Sequence, residues 1–469
     1  MDTIFSEPLG AVSGPKYAAV VQTIEKAIEG GALKPGDKLP PVRDLAWTLK
    51  ITPGTVARAY SILTNSGRLD AQVGRGTFVS APQETPPRFA PIEIDAVPHN
   101  SGAEAGPVSL FSPHLPDLGQ AALIRSLLAQ IAQDPPSGMM HYPTAVSSEP
   151  ARQAALFWLK GAGLGSVTVE DLVLTHGGQN AILLILQTLL RGRRPVVLVE
   201  ELSFPGFRRA ADMLRATVVP VAMDEHGLIP EALDAAARAH DAQILCTSPE
   251  VHNPTGLNTP LHRRQEIAAV ARARDVQILD DDCYRVGPAQ SVSYRAIVPE
   301  RGWYISSPSK SITPALRIGF AVAPKGQGAQ LQRAAEHSFF GIATPLSDLC
   351  AALLRHPDLP AISQRVREGI NLYVQRAVNI LGGYQVGWRK DVPFLWVTLP
   401  QGWRASAFCQ AAEARGVQIR PAEEFAARDA RAPHAVRVAV NAGIGLERFE
   451  AAITTLRELL DHPQDQIRV

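Results

Sequence analysis

Net charge is nearly absent from this chain. Its 46 Lys and Arg face 45 Asp and Glu over 469 residues, a formal +1. No global positive field exists to hold nucleic acid, so a DNA-binding surface has to be local. Cysteine is scarce as well. Cys246, Cys283, Cys350 and Cys409 form no CxxC pair and show no metal-like spacing with His. They read as reduced thiols of a cytoplasmic protein, with no metal site expected. Long apolar runs are also missing. The longest, Ala181–Leu190, is too short to cross a bilayer and contains Gln187 and Thr188. It reads as a buried helix, and no membrane association is expected. With Asp2 and Glu7 and no long apolar run, the first residues are not expected to form a signal peptide. No internal repeat is visible.

What is present is a globular composition, 46% hydrophobic and 19% charged, enough to bury sizeable cores. The length fits roughly three domains. Residues 1–80 carry a compact helical pattern ending in a short β ribbon. Residues 81–108 are rich in Pro, Gly and small residues and read as a linker. Over 109–469, apolar strands alternate with amphipathic helices, the pattern of α/β folds.

Helical spacing of Tyr17, Val20, Val21, Ile24, Ala27 and Ile28 predicts a helix over Lys16–Gly30, ended by Gly30-Gly31. A second short helix is predicted over Pro41–Lys50. After a break at Ile51, Thr52 is a good N-cap and Pro53 suits the first position of a third helix reaching about Asn65. Arg68–Val73 and Thr77–Ser80 read as strands joined by Gly74-Arg75-Gly76, whose glycines let a hairpin tip approach a phosphate backbone. This is the winged helix-turn-helix layout, with the third helix entering the major groove by its N-terminal end. There Thr52, Thr55 and Arg58 are the polar groups able to reach DNA. Arg58 is the candidate base reader, and Arg43 and Arg75 suit phosphates. Residues 16–80 hold nine Lys and Arg against five acids, a local basic bias. The run LPPVRDLAWTLKITPGTVARAYSILTNSGRLDAQVGRGTFV resembles the DNA-binding domain of the GntR family of bacterial regulators. That resemblance implies that Arg43, Thr55, Arg58 and Gly74–Thr77 face DNA.

Four elements of the second part carry chemistry. The Asp171–Thr175 strand runs into His176-Gly177-Gly178-Gln179-Asn180 and a helix, whose free N–H groups suit an anion. Cys246–Pro249 continues to His252-Asn253-Pro254-Thr255-Gly256, a turn that fixes an Asn able to donate to a phenolic oxygen. Val276–Leu279 ends in Asp280-Asp281-Asp282-Cys283-Tyr284. Clustered carboxylates repel unless a cation sits among them. That cation could be Mg²⁺ or a protonated pyridine, and no second carboxylate cluster supports a metal. The Tyr304–Lys310 stretch places one Lys in a serine-rich loop, with Arg317 seven residues on. Serines and an Arg suit a phosphate, and the Lys suits a Schiff base.

Together these resemble the fold-type I pyridoxal-phosphate (PLP) enzymes of aminotransferase class I/II. The resemblance implies a mostly parallel sheet in a large domain and a smaller C-terminal α+β domain. It implies that Lys310 bonds PLP, that Asp281 pairs with the pyridinium nitrogen, and that Asn253 and Tyr284 hold the phenolic oxygen. Gly178, Gln179, Ser307 and Arg317 would hold the phosphate, and Phe204 would stack on the ring. Tyr142 would reach the phosphate of the partner subunit, and Arg437 would clamp an effector or substrate carboxylate. The Asp-x-x-Tyr spacing picks Asp281 over Asp280. Two departures are visible. His114 stands where the family usually carries Gly, and residues 143–150 replace a Gly-containing stretch.

The two modules in one chain resemble the MocR/GabR subfamily of GntR regulators. That implies a regulator that binds promoter DNA and senses PLP or a small amino compound. It also implies a homodimer with exchanged DNA-binding domains. The groups needed for transamination all stand in the sequence, so a working aminotransferase with a vestigial DNA-binding domain is the alternative. A third reading leaves the second domain as a dimerisation module with no need for Lys310.

Overall fold

The computed structural model describes residues 16–65, 68–72, 76–80, 106–427 and 430–462. Most of the linker, and Gly74 and Arg75 at the wing tip, lie outside the described residues. The chain divides into two units, residues 1–96 and 97–469.

In the first unit, α1 (Lys16–Glu29), α2 (Val42–Thr48) and α3 (Pro53–Asn65) precede the strands β1 (Leu69–Gln72) and β2 (Gly76–Val79). Val20, Ile24, Leu45, Val56 and Leu63 meet in one core, each worth about 1.5–3 kcal/mol when fully buried. The second helix is shorter than expected at both ends. Pro41 is extended, with φ −55° and ψ 146°, and Lys50 is left-handed at φ 50°, which stops the helix before Ile51. The Tyr60 hydroxyl donates to Pro40 O at 2.8 Å, tying α3 to the segment entering α2. β1 pairs antiparallel with β2, Leu69 opposite Val79. This is a winged helix-turn-helix.

The second unit is built on a seven-stranded sheet. Its strands are β3 (Leu172–Thr175), β4 (Val196–Glu200), β5 (Thr217–Val221), β6 (Ile244–Thr247), β7 (Gln277–Asp281), β8 (Gly302–Ser306) and β9 (Gly319–Val322). They lie in the order β3-β9-β8-β7-β6-β4-β5, and β9 alone runs antiparallel to its neighbours. Helices cover both faces. Leu279 packs with Ile182 and Phe207 on one side, and Ile278 packs with Leu233 and Ile267 on the other. Burial on both faces explains why these strands read as continuous apolar runs rather than alternating ones.

A smaller four-stranded sheet follows, ordered Val386–Gly387, Phe394–Thr398, Ala435–Ala439, Arg420–Pro421 and antiparallel throughout. The helices Leu359–Leu381, Ala405–Ala414 and Leu446–Asp461 pack on it. The expected α/β architecture with a small α+β domain is therefore present. One feature was not expected. Val108–Ser109, at the end of the stretch read as linker, is a strand paired in parallel with Val417–Gln418, and Val108 and Leu110 lie in the core of the C-terminal domain. The chain thus enters the second unit through its C-terminal subdomain.

Candidate functional site

Six chain segments meet at the carboxyl edge of the large sheet, where open α/β sheets bind ligands. They follow β3 (Gly178), β4 (Phe204), β6 (Asn253), β7 (Tyr284) and β8 (Lys310), or precede the antiparallel β9 (Arg317). The sheet topology alone gathers residues that are more than a hundred positions apart.

One end of this cluster suits an anion. Gly177 caps the Gly178–Leu189 helix with φ +84°, a conformation costly to any L side chain. A Cβ there would lie 2.8 Å from Arg317 Nη2, so the guanidinium sits against the helix N-terminus. Arg317 is itself left-handed at φ 50°, the kind of backbone strain that collects at binding sites. Ser307 Oγ donates to Ile318 O at 2.8 Å and lies 2.7 Å from Ser309 Oγ. Gln179 Nε2 donates to Gly206 O at 3.0 Å, fixing the turn that carries Phe204. A helix end alone stabilises an anion by about 0.3–1 kcal/mol; the added Arg and hydroxyls make a phosphate-grade cradle.

The three consecutive acids have three different fates. Asp280 points to one face of the sheet and accepts from Tyr294 N at 3.0 Å. Asp282 is bound by Tyr304 Oη and Arg285 Nε. Asp281, on the opposite face from Asp280 by the alternation of the strand, accepts from the backbone N of Cys283 at 3.0 Å and from the Cys283 side chain, and has no ion-pair partner among the described residues. Burial raises it to about 6 and Asp280 to about 7. The free carboxylate is the one the Asp-x-x-Tyr spacing selected. Lys310 Nζ lies 5.5 Å from the centre of the Tyr284 ring, and that ring meets Phe394 edge-on at 5.3 Å.

Arg437 closes the other end. It is buried, 2% exposed, and forms no ion pair with a carboxylate among the described residues. Its Nη1 donates to Asn253 Oδ1 at 2.7 Å and its Nη2 to Phe111 O. The rings of Phe425 and Phe394 flank it at 4.8 and 5.5 Å. Burial pulls its pKa down. Asn253 Nδ2 and Arg437 Nε are both buried without a partner. Unmet buried donors are costly. The residues present thus fit PLP: a free buried carboxylate, an unmet amide donor, a lysine and an anion cradle.

Some residues had no role assigned from sequence. His252 Nδ1 meets Thr255 Oγ1 at 2.6 Å, its Nε2 meets Leu202 O at 2.9 Å, and it lies 3.5 Å from Glu200. It ties the Asn253 turn to the loop of Phe204. The Phe111 carbonyl carries no side-chain signal and was not foreseeable. Cys283 Sγ lies where a Cβ on Gly178 would fall, 2.6 Å away. His114 is held by its backbone, its N donating to Val440 O and its O accepting from Ala442 N, both at 3.0 Å. Residues 144–147 form a turn closed by Thr144 and Ser147, and Arg152 donates to Ala145 O at 2.8 Å. Tyr142 stands apart from the cluster, 80% exposed and 6.0 Å from the Phe340 ring. Among the described residues no cluster of His, Cys, Asp and Glu is arranged to hold a metal, and no helix is long and apolar enough to cross a membrane.

In the first unit, Arg43, Thr52 and Arg58 are exposed and Thr55 is half-buried. Thr52 Oγ1 accepts from Thr55 N at 3.4 Å and meets Thr55 Oγ1 at 2.9 Å, so these hydroxyls also cap α3. The Arg58 guanidinium lies over the Tyr17 ring at 4.3 Å. Gly76 opens β2 with φ +118°, and a Cβ there would strike Lys38 Cε at 2.7 Å.

Residues 114–456 match the aminotransferase class I and II family, and residues 16–79 match the bacterial regulatory proteins of the gntR family. The chain is 27% identical over 460 residues, 95% of each chain, to the uncharacterized HTH-type transcriptional regulator YdeF of Bacillus subtilis. It is 26% identical to the vitamin B6 salvage pathway transcriptional repressor PtsJ of Salmonella typhimurium, over 88% of this chain and 92% of that one. Among solved structures, α-aminoadipate aminotransferase LysN of Thermus thermophilus, complexed with N-(5'-phosphopyridoxyl)-L-leucine, superposes with a TM-score of 0.68 at 22% identity. That match covers 77% of this chain and 94% of that one.

Proposed function

Because this chain belongs to the aminotransferase class I and II family and carries a gntR-family domain ahead of it, we propose that it is a PLP-dependent transcriptional regulator of MocR/GabR type. It binds promoter DNA through its winged helix-turn-helix and senses PLP or a small amino compound through the second unit. The observation that supports this reading is the gathering of Lys310, Asp281, Asn253, Tyr284 and Arg317 at one edge of the sheet, on a chain that also carries a DNA-binding module.

When bound, PLP supplies an aldehyde that takes up amines reversibly and a ring that withdraws electrons. Lys310 is the amine that holds it. Asp281 keeps the ring nitrogen protonated, and Asn253 and Tyr284 hold the phenolic oxygen. Gly178, Gln179, Ser307 and Arg317 hold the phosphate, and Phe204 covers the ring. Arg437 takes the carboxylate of an incoming amino compound. On DNA, Arg58 reads a base, Thr52 and Thr55 reach DNA beside it at the start of the recognition helix, and Arg43 and the Gly74–Gly76 wing with Arg75 sit on phosphates.

The protein acts in the cytoplasm as a homodimer with exchanged DNA-binding domains. Met139, Met140, Tyr142, Val146 and Phe340 are all more than 60% exposed, an apolar surface of the kind that partners cover. It includes the Tyr142 that would reach the phosphate of the partner subunit. Fully extended, residues 81–105 could span at most roughly 80–90 Å, ample for an exchange.

The test is direct. Purified protein should carry the visible chromophore of lysine-bound PLP, fixed by borohydride and absent from Lys310→Ala. A chromophore that survives in the variant refutes the cofactor assignment. The alternative, a working aminotransferase, draws on the same complete set of groups. Steady turnover of an amino acid with a keto acid at about 1–1000 per second would favour it.

A further inference from the structure

Arg420 stands directly opposite Arg437 on neighbouring antiparallel strands. Side chains so paired have Cβ atoms about 4.5–5.5 Å apart, and like charges there repel. The two guanidiniums nevertheless converge. Arg420 Nε donates to Phe111 O at 3.3 Å, the same carbonyl that accepts from Arg437 Nη2. Arg420 also lies over the Phe111 ring, 4.6 Å from its centre. A third cation, Arg208, follows Phe204 on the next helix and donates to Glu424 O.

Within ion-pair distance of these three guanidiniums the described residues place one carboxylate, Glu424. Glu424 pairs with Arg420, the two side chains being 40% and 18% exposed. Arg437 keeps a buried Nε without a partner. Glu424 is the exposed partner of this pair, and a carboxylate that reaches water holds its partner weakly, so an anionic group of a ligand can replace it. Arg437 is deeper and already reserved, in the reading above, for the carboxylate nearest the amine.

We propose that the effector is an amino acid with a second carboxylate, the first held by Arg437 and the second by Arg420, with Glu424 displaced toward solvent. Arg420 is then the residue that selects acidic effectors over neutral ones. This inference rests on the reading of the Arg437 pocket as the effector site.

The test uses the PLP-loaded full chain and follows its visible spectrum during titration with L-aspartate, L-glutamate, L-asparagine and L-glutamine. The acids should bind at least tenfold more tightly than their amides. In Arg420→Leu the acid-to-amide ratio should fall to within about twofold, the lysine-bound chromophore reporting that the variant is folded. In Glu424→Gln the acids should bind more tightly than in the parent. A spectral response without preference for acids, or a preference kept in Arg420→Leu, overturns the assignment of Arg420 alone. No response to any of the four with the chromophore intact overturns the effector reading together with this one.

Discussion

Replacing Asp281 with Asn should have opposite consequences with and without the cofactor. The carboxyl is 6% exposed, and burial lifts its pKa from 3.8 to about 6. A gap of about two pH units between unfolded and folded chains amounts to roughly 3 kcal/mol against folding once the group is ionised in both. Below about pH 4 both states hold the proton and the penalty is absent. Between about 4 and 6 the folded carboxyl keeps a proton that the unfolded one has released, so stability falls as pH rises. Above 6 the penalty is complete. The Asn side chain never ionises, and its amide oxygen can still accept from Cys283 N. Cofactor-free Asp281→Asn should therefore resist urea better than the parent, by up to about 3 kcal/mol at pH 8 and by almost nothing near pH 4.

With PLP the sign reverses. In the proposed role of Asp281 the protonated ring nitrogen is the cation that the buried carboxylate lacks, and a neutral amide would form no ion pair with it. PLP affinity should fall at least tenfold, about 1.4 kcal/mol. Urea midpoints of the cofactor-free proteins at two pH values, with chromophore titrations at pH 8, measure both halves. A variant less stable than its parent at pH 8, or one that binds PLP as tightly, refutes the placement of Asp281 against the ring nitrogen.

Two further predictions separate packing from binding. Gly177→Ala meets both a left-handed φ and a guanidinium 2.8 Å from the new Cβ, whereas Gly192→Ala meets the same φ of +84° with nothing within 4 Å. Gly192→Ala should lose about 1–2 kcal/mol of stability and Gly177→Ala more than that, but only Gly177→Ala should lose PLP affinity, read from the chromophore. Arg58→Ala should weaken binding to the chain's own upstream DNA by about 1–3 kcal/mol, roughly tenfold to a hundredfold in a mobility-shift titration. Its chromophore should match the parent's, and equal DNA affinity would remove Arg58 from the contact surface.

Much of the fold could be read from local signals. Pro53 after Thr52 places the start of α3, and unbroken apolar runs such as Val196–Val199 mark strands buried on both faces. The limits of α2 were misjudged because its apolar spacing continues to Leu49, while the backbone is set by an extended Pro41 and a left-handed Lys50. The strand at Val108 was hidden because its partner, Val417, lies some 300 residues away, and Pro and Gly upstream made the stretch look like linker. At the site, residues whose chemistry shows in the side chain, such as Lys310 and Arg437, stood out. The work done by the Phe111 carbonyl and by the His252 ring did not, because backbone acceptors and structural bridges leave no pattern. Arg420 became meaningful only once the strand register set it opposite Arg437.

A sensor needs two states that its ligand tells apart, since a ligand of equal affinity for both shifts nothing. The structure shows where such a difference can be made. The loop carrying Phe204 is bound to the small domain by Ser203 N donating to Phe425 O and Ala427 N donating to Glu201 O, both at 2.9 Å. The same loop is held on the large domain by His252 at Leu202 O. Phe425 in turn lies under Arg437. A carboxylate held on Arg437, as proposed, would act on a set of contacts shared by both halves of the unit. The Phe111 carbonyl in that set lies five residues after Gly106, where the described chain resumes beyond the linker. Regulation by this route requires the two states to differ at Phe111 and Arg437, and a tenfold effector response asks that difference to supply about 1.4 kcal/mol, no more than one charge-assisted hydrogen bond gained or lost.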